Sequence, residues 1–252
     1  MNFPFKAVLF DWAYTLVDFV EEDNSQGFQK LADYMESQEI DIGIFRTDYL
    51  NQLKLFHEMV DVSRISHLEA CFDKALSYLI FYYNIQTEGK TTLDELSEVY
   101  YKELIKPRKI YPDTKPTLKV LQNWDIKMGI ISNTTTPAFM KHFERKSLGL
   151  DSYFDFTIYS SEFPFRKPHT SIFNLAIKRL GLSPNEILFV GDNLSADVGG
   201  ALGVGMRSAW LNRNNIQKIA KIQPDYEINS LEEILKIEVI HEPTVPQVPP
   251  SP

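Results

Sequence analysis

The chain has 252 residues, of which 44% are hydrophobic and 24% charged, a composition typical of a globular protein with one or two domains. Its net charge of −8 argues against general binding to nucleic acid or to anionic membranes. Its single cysteine, Cys71, excludes an internal disulfide. We find neither a signal-peptide pattern nor an apolar run of membrane-spanning length, and therefore expect a cytoplasmic protein.

The first predicted element is a short apolar strand over residues 6–11, which ends in the carboxylate Asp11. Residues 19–111 follow with apolar side chains at spacings of three and four and with no convincing strand. This pattern predicts a helical insert of four or five helices. Candidate caps at the starts of these helices are Thr47, Asp48, Ser66 and Thr92.

Strands and helices alternate in the rest of the chain, which is typical of a parallel sheet covered by helices on both faces. We therefore predict a doubly wound, Rossmann-like α/β core formed by residues 1–18 and 112–240. Residues 19–111 would form an inserted helical cap domain, and residues 241–252 a proline-rich, disordered tail. Strands are predicted at 127–132, 156–159, 187–191, 208–211 and 226–228, and helices at 114–123, from 137 onward, and at 170–180, 196–202 and 230–237.

Polar residues stand at or shortly after the carboxyl ends of the predicted strands, where open α/β sheets bind their ligands. Taken singly, each has a structural explanation as a turn residue, a helix cap or a solvated side chain. Taken together they favour a site, because carboxylates suit Mg²⁺, a hydroxyl and a lysine suit phosphate, and a carboxylate beside both can attack phosphorus. The residues are Asp11, Ser132, Asn133, Lys167, Asp192 and Asp197.

Four segments resemble the motifs of the haloacid dehalogenase-like superfamily, in the family's order: FDWAYTLVD, IISNTT, FRKPHTSIF and VGDNLSADVGGA. The resemblance to its phosphatase-type members with a helical cap implies Mg²⁺-dependent hydrolysis of a small phosphorylated metabolite through an aspartyl-phosphate. The insert would close over the site and select the substrate. The implied roles are nucleophile for Asp11, phosphate binding for Ser132, Asn133 and the catalytic Lys167, and metal binding for Asp11, Asp192, Asp197 and the backbone carbonyl of Ala13.

The first motif departs from the phosphatase pattern at two positions. Ala13 replaces the aspartate that usually acts as general acid, and Tyr14 stands where the family mostly has glycine. An alanine cannot transfer a proton, and general acid–base catalysis contributes roughly 10²–10⁴-fold to such reactions. The resemblance therefore implies a phosphatase of reduced activity, or one limited to good leaving groups.

Two alternatives stay open at this point. The segment DWAYT also looks like the motif of phosphonoacetaldehyde hydrolase, which cleaves a C–P bond with the help of a cap lysine, and Lys54 is the candidate for that lysine. The other alternative is a catalytically inactive module that binds Mg²⁺ and a phosphorylated ligand. Dehalogenation ranks lower, because the dehalogenases of this superfamily need no metal whereas GDNLSAD keeps an acidic pair. The sequence identifies neither the substrate nor the oligomeric state.

Overall fold

A six-stranded, all-parallel β-sheet forms the centre of the computed structural model, which describes residues 3–19, 24–106, 108–217 and 221–238. Within these ranges the strands are β1 (Ala7–Phe10), β2 (Val17–Asp18), β3 (Lys109–Ile110), β4 (Lys127–Ser132), β5 (Phe156–Tyr159), β6 (Ile187–Gly191), β7 (Arg207–Leu211) and β8 (Tyr226–Ile228). The large sheet has the order β5-β4-β1-β6-β7-β8. This order confirms the predicted doubly wound fold. The predicted tail, 241–252, lies outside the described residues.

Strand β1 lies in the middle of the sheet, paired in parallel with β4 on one side and β6 on the other. Its side chains alternate between the two faces, as the period of two in a strand requires. Val8 and Phe10 belong to the apolar cluster on one face, and Ala7 and Leu9 to the cluster on the other. Because both faces are covered, the strand is fully buried, and the next residue, Asp11, emerges at the carboxyl edge.

Helices cover both faces of the sheet and fill the insert. They are α1 (Asn24–Ser37), α2 (Tyr49–Ser66), α3 (Phe72–Tyr82), α4 (Leu93–Leu104), α5 (Thr114–Asn123), α6 (Ala138–Ser147), α7 (Thr170–Leu180) and α8 (Gly200–Leu202). Two predicted helices were wrong in type. The segment predicted at 196–202 is a π-helical turn, Leu194–Gly199, that continues into the short α8, and the last predicted helix is a 3₁₀ helix, Leu231–Lys236.

Helices α1 to α4 of the insert pack around a separate apolar cluster, which includes Phe28, Phe72 and Tyr100 and which Met140 of α6 joins from the core. Helix α1 lies close against α4 because Gly27 has no side chain. A Cβ at this position would stand 2.6 Å from the ring of Tyr100. The helical insert therefore has its own core, as the apolar spacing predicts, while the exact boundaries proposed for the two domains stay a prediction.

Of the residues predicted to begin the helices of the insert, Thr92 is confirmed and Ser66 is not. Thr92 caps α4 with a complete capping box, in which its hydroxyl accepts from the Glu95 N–H and the Glu95 carboxylate accepts from the Thr92 N–H. Ser66 was wrong as a helix start, because it is the last residue of α2. Helix α3 begins after Cys71 instead.

The chain leaves the core and returns to it side by side. Strands β2 and β3 form a two-stranded antiparallel sheet, with Val17 opposite Ile110 and Asp18 opposite Lys109. These strands hold the two ends of the helical insert together. Among the described helices, none combines the length and apolar character needed to cross a bilayer. The predicted cytoplasmic location stays a prediction.

Candidate active site

A cavity of about 510 Å³ opens at the carboxyl edge of the sheet. We call it the carboxylate cavity, because its walls include Asp11, Asp192 and Asp197. Asp11 directly follows β1 and is 8% exposed, and Asp192 directly follows the neighbouring β6. The carboxyl ends of parallel strands meet at one edge of a sheet, so strand pairing alone brings these two side chains together.

Lys167 joins two of the carboxylates. Its buried ammonium, Nζ, donates to Asp11 Oδ1 at 2.7 Å and to Asp197 Oδ1 at 2.6 Å. The side chain of Asn133 fixes the Lys167 backbone on both sides. Its Nδ2 donates to the Lys167 carbonyl at 2.9 Å, and its Oδ1 accepts from the Lys167 N–H at 2.8 Å. The lysine is thus held in place by the loop after β4 and faces the carboxylate of Asp11.

The turn after β6 places the two remaining carboxylates. The side chain of Asn193 accepts the first N–H groups of the π-helical turn, and this turn carries Asp197 back toward the strand end. The carboxylate of Asp197 also accepts from the Asn193 N–H at 3.0 Å. Gly191 makes this close approach possible, because a Cβ there would collide with the carboxylate of Asp197.

The acidic side chains repel one another. Burial and the charges of Asp11 and Asp197 raise the pKa of Asp192 to about 7. Burial raises the pKa of Asp197 to about 6 even though Lys167 opposes the shift, and Asp11 adds to it. When all groups are ionised, three carboxylates against one ammonium leave an excess of two negative charges.

This donor set fits a divalent cation. One oxygen from each of Asp11, Asp192 and Asp197 lies within 4.8 Å of the other two. Carboxylate oxygens are the ligands that Mg²⁺ prefers, and the excess negative charge of the cluster matches the charge of the ion. The residues predicted to bind metal therefore lie together, with Ala13 on the wall of the same cavity.

Ala13 and Tyr14 line the carboxylate cavity. Ala13 presents only a methyl group there. Tyr14 has φ 57°, which lies in the left-handed region and costs a bulky residue about 1–2 kcal/mol. Its N–H donates to the Val17 carbonyl at 2.8 Å, and its ring packs against Phe19, so the tight turn is held by local contacts. Half of the Tyr14 side chain remains exposed, beside the nucleophile candidate.

Two predicted residues lie elsewhere. Ser132 ends β4 and is 2% exposed, but its side chain is not part of the wall of the carboxylate cavity. Lys54, the candidate Schiff-base lysine, lies on α2 with 70% of its side chain exposed and pairs with Glu58 at 3.9 Å. It lines neither this cavity nor the second cavity described below. The geometry therefore gives no support to a catalytic Lys54.

The sequence did not identify the contribution of the insert to this site. His67 directly follows α2 and lines the carboxylate cavity, as does Arg166, the residue before Lys167. The two segments pair through their backbones: the Arg166 N–H donates to the His67 carbonyl at 3.0 Å, and the Glu69 N–H donates to the Pro164 carbonyl at 3.2 Å. We call this pairing the cap bridge. Its insert side, 67–69, contains no motif, so only the tertiary structure shows the pairing.

Glu69 strengthens the cap bridge with its side chain. This carboxylate is 1% exposed and pairs with Arg166 Nη1 at 3.4 Å. It also accepts from the hydroxyl of Ser160, whose Oγ in turn accepts from the Thr134 N–H at 2.8 Å. One buried carboxylate of the insert therefore joins the loop after β4, the end of β5 and the loop that carries Lys167.

A second cavity of about 390 Å³ lies between the insert and the core. We call it the tyrosine cavity, because Tyr14, Tyr100 and Tyr101 are part of its wall. It shares Tyr14, Asn133 and Arg166 with the carboxylate cavity, so the two cavities adjoin. Its wall also includes His57 and Asp61 of α2 and the loop 134–136 of the core.

A doubly wound sheet whose strand ends gather carboxylates and a lysine defines an α/β enzyme with its site at the carboxyl edge. Residues 5–205 match the family described as haloacid dehalogenase-like hydrolase, and the chain therefore belongs to this family. It is 29% identical over 238 residues to a glyceraldehyde 3-phosphate phosphatase from Methanocaldococcus jannaschii. The matched region covers 92% of this chain and 96% of that relative.

Solved structures agree with this assignment. The HAD phosphatase from Thermococcus onnurineus is 29% identical, with a TM-score of 0.60 over 92% of this chain and 97% of that protein. The 2-haloacid dehalogenase from Pseudomonas syringae pv. Tomato DC3000 has a TM-score of 0.69 at 24% identity, over 92% of this chain and 98% of that protein. The second likeness shows the shared fold alone. The family resemblance predicted from the four motifs is confirmed.

Proposed function

We propose that the protein is a Mg²⁺-dependent phosphohydrolase that acts on a small phosphorylated metabolite through an aspartyl-phosphate on Asp11. The observation that carries this proposal is the contact between Lys167 Nζ and Asp11 Oδ1, in a cavity that also contains Asp192 and Asp197. The relative named glyceraldehyde 3-phosphate phosphatase, which matches nearly the whole chain, supports a phosphorylated substrate.

In the proposed reaction Asp11 attacks phosphorus, and the bond from phosphorus to the leaving oxygen breaks. The leaving oxygen takes up a proton, and water then attacks the aspartyl-phosphate to release inorganic phosphate and the free carboxylate. Lys167 orients the Asp11 carboxylate and neutralises part of the phosphoryl charge. Asn133 keeps the lysine in place through its two backbone hydrogen bonds. A phosphate-binding role for Ser132 stays a prediction.

The metal site would be formed by Asp11, Asp192, Asp197 and the backbone carbonyl of Ala13. Mg²⁺ bound there would supply positive charge opposite the phosphoryl oxygens. The adjoining tyrosine cavity would receive the organic part of the substrate, because Tyr14, Asn133 and Arg166 border both spaces. Its mixed wall of hydroxyl, amide and aromatic groups suits a small, hydroxylated metabolite.

One alternative retains a specific observation in its favour. Ala13 offers no proton to a leaving group, so the chain could instead be an inactive module that binds Mg²⁺ and a phosphorylated ligand. That module would be stabilised by Mg²⁺ with a phosphate analogue and would show no turnover of any phosphate ester or anhydride. Measured turnover eliminates this alternative.

The test compares the wild type with Asp11→Asn, using acetyl phosphate and p-nitrophenyl phosphate in the presence of Mg²⁺. We expect Asp11→Asn to lower kcat/KM on the order of 10⁴-fold or more, because the nucleophile is lost. Asp18→Asn is the matched control, since Asp18 lies in β2, outside both cavities, and contacts Tyr111 at 3.4 Å. Activity that survives in Asp11→Asn would disprove the nucleophile. Chloride release from 2-chloropropionate without metal would favour a dehalogenase instead.

A further inference from the structure

The proposed reaction needs a proton at the leaving oxygen, and the first motif supplies none. Ala13 has only a methyl group on the wall of the carboxylate cavity. Without a proton donor, an alkoxide or phenolate must leave with its full negative charge. Whatever replaces the missing acid has to reach the same cavity as Asp11, and has to give up a proton and take one back near neutral pH.

The insert places one such group in the cavity. Helix α2 ends at Ser66, and His67 then adopts the left-handed conformation, φ 54° and ψ 20°, which turns the chain away from the helix axis. The cap bridge holds this turn against the core, because the Arg166 N–H donates to the His67 carbonyl at 3.0 Å. His67 is exposed, and it lines the carboxylate cavity together with Asp11 and Ala13.

The other ionisable groups on this wall are less suited to the task. Lys167 and Asp197 are paired with each other, Asp11 is the nucleophile, and Asp192 belongs to the proposed metal site. A guanidinium such as that of Arg166 does not release its proton in proteins. A tyrosine hydroxyl, with an ordinary pKa of about 10, can donate a proton but is a poor base at neutral pH, whereas a histidine can do both.

We propose that His67 is the general acid and base that replaces the missing aspartate, an inference that rests on the proposed phosphohydrolase function. As Asp11 attacks and the bond to the leaving oxygen breaks, the imidazolium gives that oxygen its proton. The neutral imidazole then takes a proton from the water that attacks the aspartyl-phosphate. The products are an alcohol, inorganic phosphate, the free Asp11 carboxylate and the restored imidazolium, so protons and electron pairs balance.

The test uses His67→Asn, because asparagine accepts the left-handed conformation and cannot transfer a proton at neutral pH. Phenyl phosphate and p-nitrophenyl phosphate share one ring and differ in how readily the phenolate leaves. We expect His67→Asn to lower kcat/KM for phenyl phosphate by about 10²-fold or more, and for p-nitrophenyl phosphate by less than about 10-fold. His142→Gln, an exposed histidine on α6 outside both cavities, should change neither rate.

Restoring an aspartate at position 13 provides an independent test. In the Ala13→Asp background, His67→Asn should lower kcat/KM for phenyl phosphate by less than about 10-fold, because the new carboxyl group takes over proton transfer. A loss of the same size in both backgrounds would mean that His67 has a structural role, and would overturn the proposal. A loss that is equal for both substrates would overturn it as well.

The outcomes also separate this proposal from the function on which it rests. If the wild type turns over both phosphates and Asp11→Asn does not, the phosphohydrolase stands whatever His67→Asn does. If Tyr14→Phe rather than His67→Asn shows the selective loss on phenyl phosphate, the proton donor is Tyr14 and the proposal for His67 is wrong. A wild type without turnover would overturn the proposed function, and the role of His67 with it.

Discussion

The carboxylate cavity and the tyrosine cavity differ in what builds their walls. The first is formed almost entirely by loops that follow strands of one sheet, so strand pairing fixes the positions of Asp11 and Asp192. The second is shared between the helical insert and the core, and its shape depends on how the insert is seated. The sheet therefore positions Asp11, Lys167 and Asp192, whereas the cap bridge positions the space for the rest of the substrate together with His67.

The largest effect on stability should follow from removing the positive charge of Lys167 from the carboxylate cavity. Lys167→Met leaves the buried carboxylates of Asp11 and Asp197 without their common partner. We expect the free energy of unfolding to fall by about 3–5 kcal/mol and kcat/KM to fall roughly 10³-fold. Urea unfolding and the phosphatase assay measure the two effects.

The matched control for this variant is Lys127→Met. Lys127 pairs with Asp155 at 3.2 Å on the protein surface, with more than half of its side chain exposed. Breaking an exposed ion pair should lower the free energy of unfolding by less than about 1 kcal/mol. If Lys167→Met lowers the free energy of unfolding no more than Lys127→Met does, the buried cluster does not stabilise the carboxylate cavity.

The second effect concerns Mg²⁺ and pH. Because the pKa of Asp192 is raised to about 7 in the folded protein, from 3.8, the folded state binds more protons than the unfolded state. The stability of the metal-free protein should therefore fall as the pH rises from about 4 to 7, and stay low above that. Mg²⁺ binds the ionised carboxylates, so it should stabilise the protein more at higher pH.

Melting temperatures with and without Mg²⁺, at about pH 8 and about pH 5.5, measure this linkage. At a concentration about 100-fold above its Kd, Mg²⁺ should raise the free energy of unfolding by about 2.7 kcal/mol. The shift should be much smaller at the acidic pH. A shift of equal size at both pH values would indicate that the ion binds away from Asp192 and Asp197.

A smaller effect should follow from weakening the cap bridge at its side chain. Glu69→Gln removes the charge that faces Arg166 Nη1 but keeps the size of the buried side chain. We expect a loss of about 1.5–3 kcal/mol in stability. Since the change alters the seating of the insert rather than the sheet, KM should rise, and kcat should fall more for phenyl phosphate than for p-nitrophenyl phosphate because the insert also carries His67.

The control for the cap bridge is Glu58→Gln on α2. Glu58 pairs with Lys54 at 3.9 Å, and both side chains are largely exposed. We expect the free energy of unfolding to fall by less than about 1 kcal/mol, with kcat and KM unchanged. For Glu69→Gln, a fall in kcat of equal size for both substrates, without a change in KM, would contradict the separation between the two cavities.

Much of the carboxylate cavity could be predicted from sequence, because Asp11 and Asp192 each directly follow a short apolar run that is typical of a buried strand. Lys167 and Asp197 were predicted as polar residues shortly after strand ends, and the motifs around them implied their roles. The contribution of the insert could not be predicted: His67 is one polar residue at a helix end, and nothing local indicates that it meets the loop before Lys167. The π-helical turn at 194–199 escaped prediction because one turn of α-helix and one of π-helix have similar apolar spacing.

The cap bridge is made mainly of main-chain hydrogen bonds, between His67–Glu69 and Pro164–Arg166. Such bonds persist when the side chains around them change, since every residue except proline carries the same N–H and C=O groups. The side chains of the tyrosine cavity, His57 and Asp61 among them, can therefore be randomised in a directed-evolution library while the insert keeps its docking geometry. The molecule thus lends itself to changes of substrate preference that leave the phosphoryl chemistry in place.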